Sequence, residues 1–144
     1  MRPARPSPRG IAITLATTVA LLLGPTACSS GPATPAAQGA TDLDASEFAE
    51  LVAREGTVVL DVRTPAEFAE GHLPGAVNLD LSSGEFPQQV AALDTDLAYA
   101  VYCRSGNRSD QALAIMRESG FTDAAHLEGG ILTWTQAGGA VVRE

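Results

Sequence analysis

The stretch Ala98-Tyr99-Ala100-Val101-Tyr102-Cys103-Arg104-Ser105-Gly106-Asn107-Arg108-Ser109 decides how this chain folds. Its first five residues are an apolar run of strand formers, which reads as a buried strand. From Asp110 to Ser119, Ala112, Leu113, Ile115 and Met116 recur among polar residues. Gly120 follows as a C-cap, so the spacing predicts a helix. Cys103 therefore stands where a strand ends and a helix is about to begin. Between them, Gly106 and Asn107 are the residue types that enter left-handed conformations most cheaply. Such a loop can aim successive backbone N–H groups at one point and form an anion-binding nest at a helix N-terminus. Arg104 and Arg108 add full positive charges beside it. Each of these features favours a thiolate at Cys103, and the thiolate is the nucleophile. A cysteine after an apolar strand is often a small buried hydrophobe. A core cysteine, however, gains nothing from two arginines and a Gly-Asn turn within five residues.

The rest of the chain repeats the strand-then-helix pattern. Asp44 followed by Glu47 is an N-cap signature, and Phe48, Leu51 and Val52 then recur at helical spacing. Thr57 to Leu60 reads as a buried strand. Thr64-Pro65-Ala66-Glu67 opens a short helix that Gly71 ends. Ala76 to Leu79 is another strand, Pro87 to Leu93 a helix, Ala124 to Leu127 the last strand, and Ile131 to Ala137 the last helix. Alternation of this kind implies an α/β fold with a parallel sheet, helices on both faces and right-handed crossovers. Ligands of such sheets collect at the carboxyl ends of the strands, which is where Cys103 falls.

At 144 residues there is room for one domain with a substantial core. The net charge of −8 hides an asymmetry, since Arg2, Arg5 and Arg9 open the chain and no acid precedes Asp42. From Cys28 onward six arginines face all seventeen acids, and lysine is absent throughout. A body so acidic lacks the basic footprint that nucleic acid requires. It also avoids anionic lipid headgroups unless it is anchored. Residues 1–27 have the layout of a secretory signal peptide: a basic start, an apolar run from Ile11 to Leu23, and the small pair Thr26-Ala27. The run is shorter than the about 20 residues that span a bilayer. Residues 28–41, rich in Ser, Pro, Ala and Gly without a large apolar residue, read as a disordered tether. The folded domain is expected over residues 42–144.

Two resemblances follow from these residues. The segment Cys103-Arg104-Ser105-Gly106-Asn107-Arg108-Ser109 resembles the active-site loop of single-domain rhodaneses, the thiosulfate sulfurtransferase family. Val59 to Arg63, Glu67-Phe68 and Gly71 to Ala76 resemble that family's first motif, and Glu128-Gly129-Gly130 with Trp134 its closing motif. The resemblance spans roughly Asp42 to Gly139, in the family's order. It implies a five-stranded parallel sheet with helices on both faces and a persulfide carried on Cys103. It also implies a small anionic sulfur donor, a thiol or cyanide acceptor, and no cofactor. Arg104 would steer the donor, Arg108 would hold the loop, and Ser105, Gly106, Asn107 and Ser109 would complete the cradle. Thr26-Ala27-Cys28 resembles a bacterial lipoprotein processing site, which makes Cys28 the lipidated first residue of an extracytoplasmic, membrane-anchored monomer. Pro25 departs from that pattern, standing where leucine is usual.

Other polar residues have plainer readings. Asp61 and Arg63 either line the pocket or fix the turn that follows their strand, and the second is favoured because buried charges near a strand end are usually paired. Asp61, coming first after the strand, is the nearer of the two to the sulfur. His72 sits in a turn sequence, His126 inside a strand, Trp134 on the core side of its helix, and Glu128 in a turn. No spacing of His and Cys suggests a metal site. Two rival functions remain in view. Relatives of rhodanese that act as phosphatases or arsenate reductases place five residues between cysteine and arginine, whereas Arg104 to Asn107 are four. A non-enzymatic sulfur carrier or redox sensor would use the same loop to meet a partner protein.

Overall fold

Strand β4 (Tyr99–Tyr102) is the apolar run ahead of Cys103, and all four of its residues are buried. It is the middle strand of a five-stranded parallel sheet ordered β1-β5-β4-β2-β3. The flanking strands are β1 (Asp42–Leu43), β2 (Val58–Asp61), β3 (Val77–Asn78) and β5 (Ala124–Leu127). The computed structural model describes residues 42–143. The expected signal peptide, Cys28 and the tether lie outside these residues. Among the described residues no helix is long and apolar enough to cross a membrane.

Four helices connect the strands, α1 (Ala45–Ala53), α2 (Pro65–Glu70), α3 (Phe86–Ala91) and α4 (Asn107–Glu118), and α5 (Gly130–Gln136) follows β5. Their starts follow local chemistry. Asp44 accepts from the backbone of Ser46 and Glu47 while Glu47 reaches back to the Asp44 N–H, and Thr64 and Glu67 form the same reciprocal cap on α2.

Because side chains alternate across a strand, β4 serves two cores. Tyr99 and Val101, with Cys103 just beyond, pack with Phe86 and Val90 of α3 and with Ala112, Leu113 and Met116 of α4. Ala100 and Tyr102 pack on the other face with Phe48 and Leu51 of α1 and with Ile131 and Trp134 of α5. The register sets Val101 opposite His126, and His126 opposite Asp42, so three strands present neighbouring positions at one level of the sheet.

The structure corrects the sequence reading in two places. Strand β1 was not readable from the residues, since two residues carry no periodicity; it exists because Asp42 and Leu43 pair with the edge of β5. Helix α4 begins at Asn107, three residues before the expected Asp110. Gly106 is its N-cap at φ 97°, a left-handed conformation open to glycine, and the Asp110 N–H already donates to the Gly106 carbonyl at 3.0 Å. Arg108 and Ser109 thus belong to the first turn of a helix and not to the loop.

Candidate active site

Cys103 follows β4 and is 1% exposed. Its sulfur accepts the Gly106 N–H at 3.1 Å, and the Ser109 hydroxyl lies 3.5 Å away. Burial alone would push the thiol up. Hydrogen bonds from the Ser109 hydroxyl and from the backbone of Ser109, Ser105 and Gly106 outweigh it, and the thiol is held below its ordinary value. The nest expected from Gly106 and Asn107 therefore forms, but it is made by Ser105, Gly106 and the first turn of α4. The two arginines matter less to the sulfur than their number suggests.

They are also unlike each other. Arg104 is exposed and pairs with no acid among the described residues. Arg108 spans from α4 to α2, where both ends of its guanidinium donate to Glu67 at 2.7 Å. Its charge also interacts with Cys103, behind the larger effect of Glu67. The Arg108 hydrogen bonds, with help from Thr64, hold the Glu67 carboxyl down at about 2. In the sequence Glu67 stands out as a helix cap and as part of the first motif. Its second role, anchoring the cysteine loop's helix, joins residues 41 apart and leaves no local signal. Ser105 and Asn107 are exposed, whereas Gly106 and Ser109 are buried.

The loop rests on α5. The Cys103 carbonyl accepts the Ile131 N–H at 2.8 Å, and the Arg104 carbonyl accepts the Leu132 N–H at 3.4 Å. Gly130 makes this approach possible. At φ 61° it lies where a Cβ would meet the Cys103 carbonyl oxygen at 2.4 Å and the Arg104 carbonyl carbon at 2.5 Å. Glu128 is exposed, and its N–H donates to the Leu43 carbonyl at 2.9 Å.

Asp61 and Arg63 find each other. Arg63 Nε lies 2.9 Å from both Asp61 oxygens, a terminal nitrogen donates to Asp61 at 2.5 Å, and the same nitrogen donates to the Gly71 carbonyl at 2.7 Å. Asn78 donates to the carbonyls of both residues, and the guanidinium stands over the Tyr102 ring at 5.7 Å. The buried pair fixes the turn after β2, and the hydrogen bonds given to the sulfur come from elsewhere. His72 stacks on Phe68 at 3.7 Å and donates from Nδ1 to the Phe68 carbonyl. Trp134 meets Phe48 edge-on and donates to the Ala140 carbonyl.

His126, which had no partner in the sequence, is buried between two polar groups. Nδ1 lies 3.0 Å from Ser109 Oγ, and Nε2 lies 2.5 Å from Asp42 Oδ1. Asp42, Asp110 and His126 bring donor atoms within 4.8 Å of one another. Both ring nitrogens of His126 are engaged, so Ser109, His126 and Asp42 form a hydrogen-bonded chain with Asp110 beside it.

Comparison with known proteins agrees with this architecture. Residues 44–137 match the model of the rhodanese-like domain. The chain belongs to the rhodanese family. Among rhodanese relatives, a protein named sulfurtransferase from Allochromatium vinosum is 33% identical over 70% of this chain and 94% of its own length. A thiosulfate sulfurtransferase GlpE from Stutzerimonas stutzeri is 36% identical over 61% of this chain and 79% of its own. A crystal structure of a rhodanese-related protein from Thermoplasma volcanium superposes with a TM-score of 0.64 at 33% identity, covering 72% of this chain and 98% of that one.

Proposed function

We propose that this rhodanese-family protein is a sulfurtransferase that carries a sulfane sulfur on Cys103. The observation that carries the reading is the lowered thiol of Cys103 at the carboxyl end of the central strand, with the Gly106 N–H and the Ser109 hydroxyl directed at its sulfur. The Cys103 thiolate attacks the outer sulfur of thiosulfate, a new S–S bond forms, the donor's S–S bond breaks, and sulfite leaves with the electron pair. The persulfide anion then gives its outer sulfur to cyanide, releasing thiocyanate, or to a thiolate, releasing a new persulfide. Either acceptor regenerates the Cys103 thiolate, which makes the reaction ping-pong. Protons need not move in either half, so the groups around the sulfur have only to stabilise negative charge. The names of the Allochromatium vinosum and Stutzerimonas stutzeri relatives support sulfur transfer as the reaction class. Exposed Arg104, which pairs with no acid among the described residues, suits the capture of a dianionic donor at the loop's outer face.

We further propose that the chain works outside the cytoplasm, held to the membrane by lipid on Cys28. The basic start, the apolar run and the small pair before Cys28 support this reading. Incubation with thiosulfate followed by intact-protein mass tests the sulfur-transfer reading: a gain of one sulfur atom supports it. An unchanged mass, with hydrolysis of aryl phosphates instead, overturns it.

A further inference from the structure

The Ser109 hydroxyl has one proton and three neighbours that could take it. Cys103 Sγ is at 3.5 Å, the Gly106 carbonyl at 2.9 Å and His126 Nδ1 at 3.0 Å. A serine donates once, so the state of His126 decides among them. Asp42 is an acceptor only, and its contact at 2.5 Å keeps a proton on Nε2. A neutral ring therefore has a bare Nδ1, which draws the Ser109 proton toward itself and away from the sulfur. A ring carrying both protons donates from Nδ1 to Ser109 Oγ instead. The serine proton is then released toward Sγ and the Gly106 carbonyl.

We propose that Asp42, His126 and Ser109 form a relay in which the charge on His126 sets the hydrogen bonding, and hence the reactivity, of the Cys103 sulfur. His126 is a positioning residue here, since it touches the sulfur only through Ser109. The relay rests on Cys103 being the reacting sulfur, as proposed above. It ties together three strands and one helix: Asp42 on β1, His126 on β5, Cys103 after β4 and Ser109 in the first turn of α4. Among the described residues, the titratable groups facing the ring are Asp42 from β1, Asp110 from α4 and, through Ser109, Cys103. Helices α1 and α5 turn Phe48, Leu51, Ile131 and Trp134 toward the sheet.

The test follows the rate of Cys103 alkylation by iodoacetamide against pH, which needs no sulfur transfer and so can fail independently of that reaction. Wild type is expected to show the thiol inflection held low by the Ser109 hydrogen bond. His126→Gln, which removes the ring that orients the Ser109 hydroxyl, is expected to move that inflection up, with about threefold less thiolate below it. In a Ser109→Ala background the same His126→Gln change is expected to leave the profile unaltered, because the link is gone. Asp42→Asn, at an exposed carboxylate that leaves the core untouched, weakens the hold on Nε2 and is expected to move the thiol inflection the same way by a smaller amount. An unmoved thiol inflection in folded His126→Gln, or an equal effect of His126→Gln with and without Ser109, overturns the relay.

Discussion

Four residues divide the work around the sulfur. Cys103 is desolvated, which opposes ionisation, and is rescued by directed hydrogen bonds. Its alkylation should therefore show a thiol inflection below the about 8.5 of a free cysteine; an inflection at or above that value contradicts the geometry. Arg104, with no acidic partner among the described residues, should act at a distance. Arg104→Ala is expected to slow thiosulfate capture by about tenfold at low ionic strength, with the loss shrinking as salt is added. A loss independent of salt would mean that the side chain acts by contact. Arg108 and Glu67 are structural by comparison. The depressed Glu67 carboxyl stabilises the fold fully above the ordinary glutamate value of about 4.3, and that contribution fades as pH falls toward 2. Urea unfolding should find Glu67→Gln less stable by about 1 kcal/mol at pH 7, with the gap closing in acid. A gap constant across that range would separate Glu67 from the ion pair.

Elements were legible wherever their cause is local. The apolar run of β4, the reciprocal caps of α1 and α2, and Gly71 as a stop all act within a few residues, and the sequence shows them. What it concealed is made by distant partners. Strand β1 exists only by pairing with β5, and His126 is joined to Asp42 across 84 positions. The early start of α4 was hidden because Gly106 caps it by backbone conformation, with no side chain to announce it. Gly130 belongs to the same class, since its need for glycine comes from the carbonyls of Cys103 and Arg104 on another element. Gly130→Ala should cost about 2 kcal/mol or more and disturb the loop's seat on α5. Gly138→Ala is the control, at φ 83° with nothing within 4 Å of the new Cβ. It should cost about 1 kcal/mol of backbone strain and leave thiol reactivity intact. Equal effects of the two on alkylation rate would remove α5 from the account of the site.

The molecule as a whole stacks two cores on one sheet and delivers a cysteine from its middle strand to the edge where the loops gather. Its acidity from Cys28 onward argues against any basic-patch partner and makes a lipid on Cys28 the proposed route to a membrane. Cell fractionation should find wild type with membranes and Cys28→Ala released from them; equal recovery of both would contradict anchoring. Wild type and Cys103→Ser should each be exposed to thiosulfate, desalted and weighed intact. Wild type should gain the mass of one sulfur atom and lose it again on addition of cyanide, and Cys103→Ser should gain nothing. A wild-type mass that never changes, or a gain shared by Cys103→Ser, would contradict sulfur transfer through Cys103.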